Sequence, residues 1–381
     1  MTSNAASSAP ARITLSVCEG EKIAAIATGT QYRWAETALA AAGWSRTEGG
    51  VYTRLVGDRT TAERAVSILV HFARRHRAAV VTSTRPHLGT IADTIAHHLP
   101  GPWTPTVEVY SYPIWHEDLV PLLWDSGELT HAVQAGQVTH AATLTNEAAG
   151  IDLLLIERPD HPSGYVTGAF APEGFDDNDE NPHAPAGVVL PQDPYLAARE
   201  IADRYLPAYQ QALHTRRAAT VASALERIRD EHTELQRLTA AGPDSAYEER
   251  FADVAWYEVL DIVRHGRPLV KHCLRTRLSP QDATSIKRFD AALAEGTETV
   301  KEWHRLLNGS PDDPLAYRPE EIPLVKALRN ADIRPVIETW LAHGDTLLRY
   351  AHAASPDSPA SLPSAAVPTL SPASRAPSRR H

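Results

Sequence analysis

Hydrophobic positions in the first part of the chain follow two periods, one typical of strands and one typical of helices. Residues 12–17 and 22–28 are apolar-rich runs joined by the turn-forming GEK, and we predict two strands there. Residues 31–43 carry apolar side chains at helical spacing and end at Gly43. The remaining predicted elements are strand 50–56, a helix capped by Thr60 or Thr61 with Glu63 in a capping box, strand 78–83, helix 89–99 and strand 104–112. This alternation predicts a mixed α/β layer over residues 12–111.

The pattern changes to short strands separated by turn-rich connections over residues 138–190. The predicted strands are 139–145, 150–157, 164–170 and 186–190. Their spacing favours an antiparallel meander. The connection PEGFDDNDENPHAP before the last strand is acidic and contains three prolines, so we expect it to be exposed.

After residue 193 the pattern becomes helical. Val221, Leu225, Ile228 and Leu235 recur at spacings of three, four and seven, which predicts a long amphipathic helix. Further helices are predicted around residues 256–263, 279–307 and 319–352. Proline, serine and alanine then dominate the sequence without an apolar period, so residues 353–381 are predicted to be disordered.

These patterns together predict an α+β protein with several segments. In chain order, they are a flexible N-terminus 1–11, an α/β domain 12–111, an acidic antiparallel-sheet domain 112–192 that can pack with it, a helical domain 193–352 and the tail 353–381. The length of 381 residues suits two or three domains of ordinary size.

The composition is that of a globular protein, with 43% hydrophobic and 22% charged residues. Cys18 and Cys273 are the only cysteines, which excludes a disulfide framework and a cysteine-rich zinc site. The chain shows no apolar run of the roughly 20 residues that span a bilayer and no secretory signal pattern. We therefore expect a cytoplasmic protein without membrane contact.

Charge is distributed unevenly along the chain. Residues 101–200 contain 16 acidic and 2 basic side chains, whereas residues 1–100 contain 7 acidic and 11 basic ones. The acidic segment repels nucleic acid and attracts basic protein surfaces or cations, while the basic first hundred residues favour phosphate weakly.

Two interpretations fit residues 112–133, whose sequence is YPIWHEDLVPLLWDSGELTHAV. In the structural one, Asp125 is the N-cap of a helix and Glu128 completes a capping box. In the functional one, the candidate binding or ligand side chains are Trp115, His116, Glu117 and Asp118. Adjacent residues on a helix or strand point in different directions, so only one or two of them could share a site. The pattern is not H-E-x-x-H, because Val120 occupies the position of the second histidine.

The acidic connection supplies a second set of candidate binding residues, namely Asp176, Asp177, Asp179, Glu180 and His183. Clustered carboxylates could hold a hard cation such as calcium or magnesium. The spacing departs from an EF-hand loop, since Pro182 stands where glycine is needed and Val188 replaces the final glutamate. A solvated acidic loop is the simpler interpretation.

Arg74, Arg75 and Arg77 end the second predicted helix and are the candidate nucleic-acid contacts. Positive charge at a helix C-terminus also complements the helix dipole, which explains the cluster without a ligand. The chain lacks the glycine-rich phosphate-binding motifs and the G-x-S-x-G nucleophile turn. We accordingly predict no cofactor and no metal. Whether the protein is an enzyme stays open, and the missing nucleophile–base pair favours a non-catalytic role.

Three segments, PIWHEDLVPLLWDSGEL, LLLIERPDHPSGY and GAFAPEGFDDNDENPHAP, resemble a family of uncharacterised proteins from Streptomyces-type actinomycetes. The resemblance suggests an actinomycete host. It implies no activity and carries over no functional residues.

The leading hypothesis is a non-catalytic interaction or regulatory protein that binds a basic macromolecular partner through its acidic surface. The helices of residues 193–263 could also serve self-association. One alternative is a metal-assisted hydrolase that uses His116, Asp118 and the acidic loop. Another is a nucleic-acid accessory protein that uses the basic N-terminal region.

Overall fold

The computed structural model describes residues 10–136, 138–158, 161, 164–175, 183–240, 253–307 and 322–353. The chain divides into two compact units, Met1–Arg217 and Ala218–His381. The first unit contains two β-sheets with helices, and the second is helical in its described part, which confirms the α+β class. None of the described helices combines the length and the apolar composition needed to cross a bilayer.

The first sheet has the strand order β3-β4-β2-β1-β5 and is antiparallel except between β1 and β5. Its strands are β1 (Arg12–Cys18), β2 (Lys22–Thr28), β3 (Ser45–Arg46), β4 (Tyr52–Leu55) and β5 (Ala79–Thr82). Helices α1 (Tyr32–Ala41) and α2 (Arg59–Arg75) bury their apolar faces in a core shared with this sheet. The N-cap of α2 is Asp58, whose carboxylate accepts a hydrogen bond from Thr61 N at 2.7 Å, so the predicted threonine cap is wrong.

The second sheet is antiparallel, with the order β11-β10-β9-β8-β6, and β7 pairs with β10. Its strands are β6 (Thr104–Val109), β7 (Leu123–Trp124), β8 (His140–Asn146), β9 (Ile151–Glu157), β10 (Tyr165–Phe170) and β11 (Val188–Leu190). The predicted meander is thus confirmed. Helices α3 (Leu88–His98) and α5 (Pro194–Glu200) share one core with the sheet. A 3₁₀ helix (Trp115–Leu122) and α4 (Glu128–Ala135) share a second core with it.

Two observations differ from the predicted segments. Strand β6 was predicted within the 12–111 layer but pairs with β8 in the second sheet, because strand pairing depends on register with distant residues. Ala11, assigned to the flexible N-terminus, is fully buried, and its carbonyl accepts a hydrogen bond from Ala79 N at 2.9 Å. Whether the predicted segments fold as separate domains stays a prediction.

The helical part begins with a short π-helical segment, Ile201–Tyr205, that leads into α6 (Leu206–Ala240). Helices α7 (Trp256–Cys273), α8 (Pro280–Leu307) and α9 (Ile322–Ala353) confirm the later helical predictions. In the second unit, residues of α6 from Ala218 onward share one apolar core with these three helices. The predicted disordered tail lies outside the described residues from position 354 onward.

Candidate functional site

The 3₁₀ helix distributes the candidate residues Trp115, His116, Glu117 and Asp118 over three sides. With three residues per turn, positions i and i+3 lie on the same side. His116 and Leu119 form the buried side, each with 6% of its surface exposed. Trp115 and Asp118 form the exposed side, and the exposed fraction of Trp115 is 42%. His116 and Asp118 therefore do not converge on a common site.

A pocket of about 440 Å³ lies beside this helix. It is lined by Glu108, Val109, Tyr110, Trp115, Asp118, Leu119 and Leu122. At its wall the Tyr110 hydroxyl donates a hydrogen bond to Glu108 Oε2 at 3.1 Å. Burial and the charge of Glu108 both raise the pKa of Tyr110, so this hydroxyl remains a donor at neutral pH. The pocket thus contains two carboxylates, that of Glu108 from strand β6 and that of Asp118 from the 3₁₀ helix.

Aromatic contacts hold the indole of Trp115 at the pocket. Its ring lies 5.5 Å from the ring of Tyr32, edge to face, and 6.0 Å from the ring of Tyr112. Tyr112, Ile114 and Leu122 of the same segment are also exposed, with 38%, 54% and 55% of their surfaces accessible. Exposed apolar side chains grouped in one segment are typical of an interaction site.

The negative charge of the pocket is not neutralised by the described part of the chain. Neither Glu108 nor Asp118 forms an ion pair among the described residues. No lysine or arginine occurs between Arg85 and Arg158. The guanidinium of Arg46 approaches Gly50 beside Val109, but it is paired with Glu36 at 3.3 Å.

The other predicted site residues fall in different places. Glu117 is exposed and does not line the pocket, and His183 is partly buried elsewhere. The Nδ1 atom of His116 is buried without a hydrogen-bond partner among the described residues. The four carboxylates of the acidic loop, Asp176, Asp177, Asp179 and Glu180, lie outside the described residues.

Asp125 has a structural role that differs from the predicted capping box. The N-cap of α4 is Gly127, and Glu128 is the first helical residue. Asp125 Oδ2 accepts hydrogen bonds from Gly127 N at 3.1 Å and Thr130 N at 2.8 Å, while Oδ1 accepts one from Gly187 N. The carboxylate therefore ties the start of α4 to the strand segment before β11, and the capping-box prediction is wrong.

Arg74, Arg75 and Arg77 are all exposed at the end of α2, and none forms an ion pair among the described residues. This placement fits the helix-dipole explanation and leaves the cluster accessible to an anion. Within the described ranges, no group of three or more His, Cys, Asp or Glu side chains is arranged to hold a metal ion.

A buried cluster that was not predicted lies at one end of the second sheet. The register that pairs Ala142 with Leu155 places His140 opposite Glu157, and Glu157 in turn pairs with Tyr165. His140 Nε2 is 3.9 Å from Glu157 Oε1. The ring of His87, the residue that precedes α3, stacks on the ring of His140 with centroids 6.3 Å apart.

Arg85 completes this cluster. Its Nη1 atom lies 3.6 Å from Glu157 Oε2. The guanidinium also donates hydrogen bonds to the carbonyls of Gly164 and Arg158, each at 3.2 Å, and to that of His161. Arg85 therefore fastens both ends of the β9–β10 connection to the segment that leads into α3.

Burial shifts the titration of the cluster. It lowers the pKa of His87. The pKa of His140 is lowered to about 3 by burial, by repulsion from His87 when that ring is protonated and by the positive charge of Arg85. Burial raises the pKa of Glu157, and Arg85 opposes that shift. Both imidazoles are therefore neutral at neutral pH.

The pairing of His140 with Glu157 could have been predicted from the sequence. Counting outward from the β8–β9 turn, where Asn146 pairs with Ile151, places His140 opposite Glu157. Arg85 and His87 had no signal in the sequence, because no local pattern places the start of α3 over that end of the sheet.

Comparison of the chain with family models, curated proteins and solved structures found no match.

Proposed function

We propose that this is a non-catalytic interaction protein of the cytoplasm that binds a basic protein partner through its acidic surface. The pocket beside the 3₁₀ helix is the proposed recognition point, and it would receive an arginine side chain of the partner. One observation carries the proposal: Glu108 and Asp118 line the same pocket as the exposed Trp115, and neither carboxylate forms an ion pair among the described residues.

Each component of the pocket favours a guanidinium. A cation over an indole face contributes about 0.5–2 kcal/mol, depending on its desolvation. Carboxylates form strong charge-assisted hydrogen bonds with the planar guanidinium fork. The apolar stem of arginine can pack on Leu119 and Leu122, which also line the pocket.

The surrounding charge supports the same kind of partner. With 16 acidic and 2 basic side chains over residues 101–200, the segment attracts positive surfaces at long range. Complementary charge of this kind increases association rates and rejects acidic partners. Asp176, Asp177, Asp179 and Glu180 contribute four of these acidic side chains.

Substitutions at the pocket are expected to weaken binding of an arginine peptide. The probe is a fluorescein-labelled nonapeptide of alternating alanine and arginine, followed by fluorescence anisotropy. We expect Trp115→Ala and Asp118→Asn each to raise the Kd about tenfold, because each removes roughly 1.4 kcal/mol of cation–π or charge-assisted interaction. Replacing arginine by citrulline in the peptide should abolish binding, since the charge is lost while the shape is kept.

Glu147→Gln is the matched control for this experiment. Glu147 is exposed within the same acidic segment, outside the pocket, and its replacement removes the same charge. If Glu147→Gln weakens binding as much as Asp118→Asn, the attraction is diffuse and the pocket is not the recognition point. Circular dichroism of each variant excludes unfolding as the cause.

A nucleic-acid role rests on a separate observation: Arg74, Arg75 and Arg77 are exposed and form no ion pair with any residue that the structure describes. Phosphate-driven affinity falls steeply with salt, so a labelled duplex titrated at several salt concentrations tests it. Tight, salt-dependent binding that is lost in an Arg74→Gln, Arg75→Gln, Arg77→Gln triple variant would favour this function.

The predicted self-association through residues 193–263 is tested by analytical ultracentrifugation.

A further inference from the structure

His87 and His140 are stacked in an environment that suits only their neutral forms. The exposed fraction of His87 is 8%, and that of the His140 side chain is 12%. Their ring planes are 10° from parallel, and His87 Nδ1 is buried without a hydrogen-bond partner among the described residues. Neutral rings pack well in this arrangement, whereas two imidazolium ions would repel each other.

The groups that face the pair come from several elements. Strand β9 contributes Glu157, β10 contributes Tyr165, and the segment before α3 contributes Arg85. On β8 itself, Thr139 Oγ1 lies 3.0 Å from His140 Nδ1, and β6 contributes the apolar partner Val109. The first turn of α3 contains no acidic residue, and its N-terminal end carries partial positive charge.

From this arrangement we propose that His87 and His140 form an acid-sensitive clasp between the start of α3 and the second sheet. In its neutral form the pair holds the start of α3 on the sheet. When both rings are protonated, they add two positive charges next to Arg85 and the positive end of α3. Glu157 already faces Arg85, so its single carboxylate cannot compensate for all three cations.

The direction of the pH effect follows from the shifted pKa values. A histidine whose pKa is lower in the closed form than in the open form binds more protons when the clasp is open. The stabilisation by His140 is therefore complete above its ordinary pKa of about 6.5 and is lost as the pH falls from there towards about 3. His87 has a lowered pKa and acts in the same direction.

Release of the clasp would affect two neighbouring segments. Arg85 joins the start of α3 to the carbonyls of Arg158, His161 and Gly164, so both segments lose a restraint when the imidazoles are charged. Burial raises the pKa of Glu157 in the closed form, so protonation of this carboxylate at low pH stabilises the closed form and opposes the effect of the histidines. The histidine contribution is isolated by comparing variants at the same pH.

Hydrogen–deuterium exchange of the full chain tests the proposal. With a pKa of about 3 in the closed form and about 6.5 in the open form, the opening equilibrium around His140 should rise about 16-fold between pH 6.5 and pH 5. After correction for intrinsic exchange, amides of α3 and of β9 next to Glu157 should lose protection to that extent. His140→Gln should remove most of this pH dependence, and His71→Gln, a change at an exposed histidine of α2, should leave it unchanged.

The proposal is overturned if wild-type protection does not change with pH or if His140→Gln retains the full change. Should His140→Gln fail to fold, histidine NMR of the wild type decides. The imidazole resonance of His87, identified by its absence from the spectrum of His87→Gln, should titrate below the ordinary pKa of histidine, and an ordinary titration near pH 6.5 would refute the clasp. None of these outcomes depends on the proposed partner binding.

Discussion

Replacing Gly49 by alanine is expected to destabilise the first unit by about 3 kcal/mol. A Cβ atom at this position would lie 1.6 Å from the carbonyl oxygen of Val107 on β6. The obstructing atom belongs to backbone that is paired with β8, so it cannot move aside as a flexible side chain could. Gly49 also accepts a hydrogen bond from Val109 N at 3.0 Å, which the displaced turn would lose. Urea denaturation followed by tryptophan fluorescence measures the effect.

Gly20→Ala serves as the control for Gly49→Ala. Gly20 has a φ of +72°, but a Cβ there would meet no atom within 4 Å. Its replacement should cost only the left-handed backbone strain of about 1 kcal/mol. If the two variants are equally stable, the close approach of Gly49 to β6 does not exist in solution. Because Val109 and Glu108 of β6 line the pocket, Gly49→Ala should also weaken binding of the arginine peptide.

In the second unit, Asp253→Ala is expected to cost about 3 kcal/mol. The guanidinium of Arg329, 5% exposed as a side chain, lies 4.4 Å from the ring centre of Trp256 and 4.7 Å from that of Trp303. It donates hydrogen bonds to Asp253 and to Asn330 Oδ1. Burial lowers the pKa of Arg329 and Asp253 opposes this shift, so removing the carboxylate leaves a buried cation without its counter-ion.

Two further variants test the cause of that loss. Lys326 lies 3.3 Å from the same carboxylate but is 44% exposed, so Lys326→Met should cost less than about 1 kcal/mol. The double variant Asp253→Ala, Arg329→Met should regain much of the lost stability, because the buried charge is gone. Thermal denaturation measures all of these changes. If Lys326→Met and Asp253→Ala have equal effects, the ion pair between Asp253 and the buried Arg329 is not what stabilises this part of the bundle.

Local sequence patterns predicted the elements of this protein well where one period persists over many residues. Helices α8 and α9 and strands β8 to β11 follow the predicted runs, because burial of one face imposes the period directly on the sequence. The segment with Trp115 and Asp118 was also identified as a candidate site. Its 3₁₀ geometry, which turns His116 inward, could not be predicted because neighbouring contacts select that helix type.

The sequence by itself determined the α+β class, the concentration of acidic side chains in residues 101–200 and the choice of the segment with Trp115 and Asp118 as a candidate site. Tertiary structure decided that β6 joins the second sheet, that Glu108 and Asp118 share one pocket and that His87 stacks on His140. Burial periodicity and charge are properties of neighbouring residues, so they can be read along the chain. Sheet register and the packing of α3 bring distant residues together, and their free energy depends on contacts that no local pattern contains.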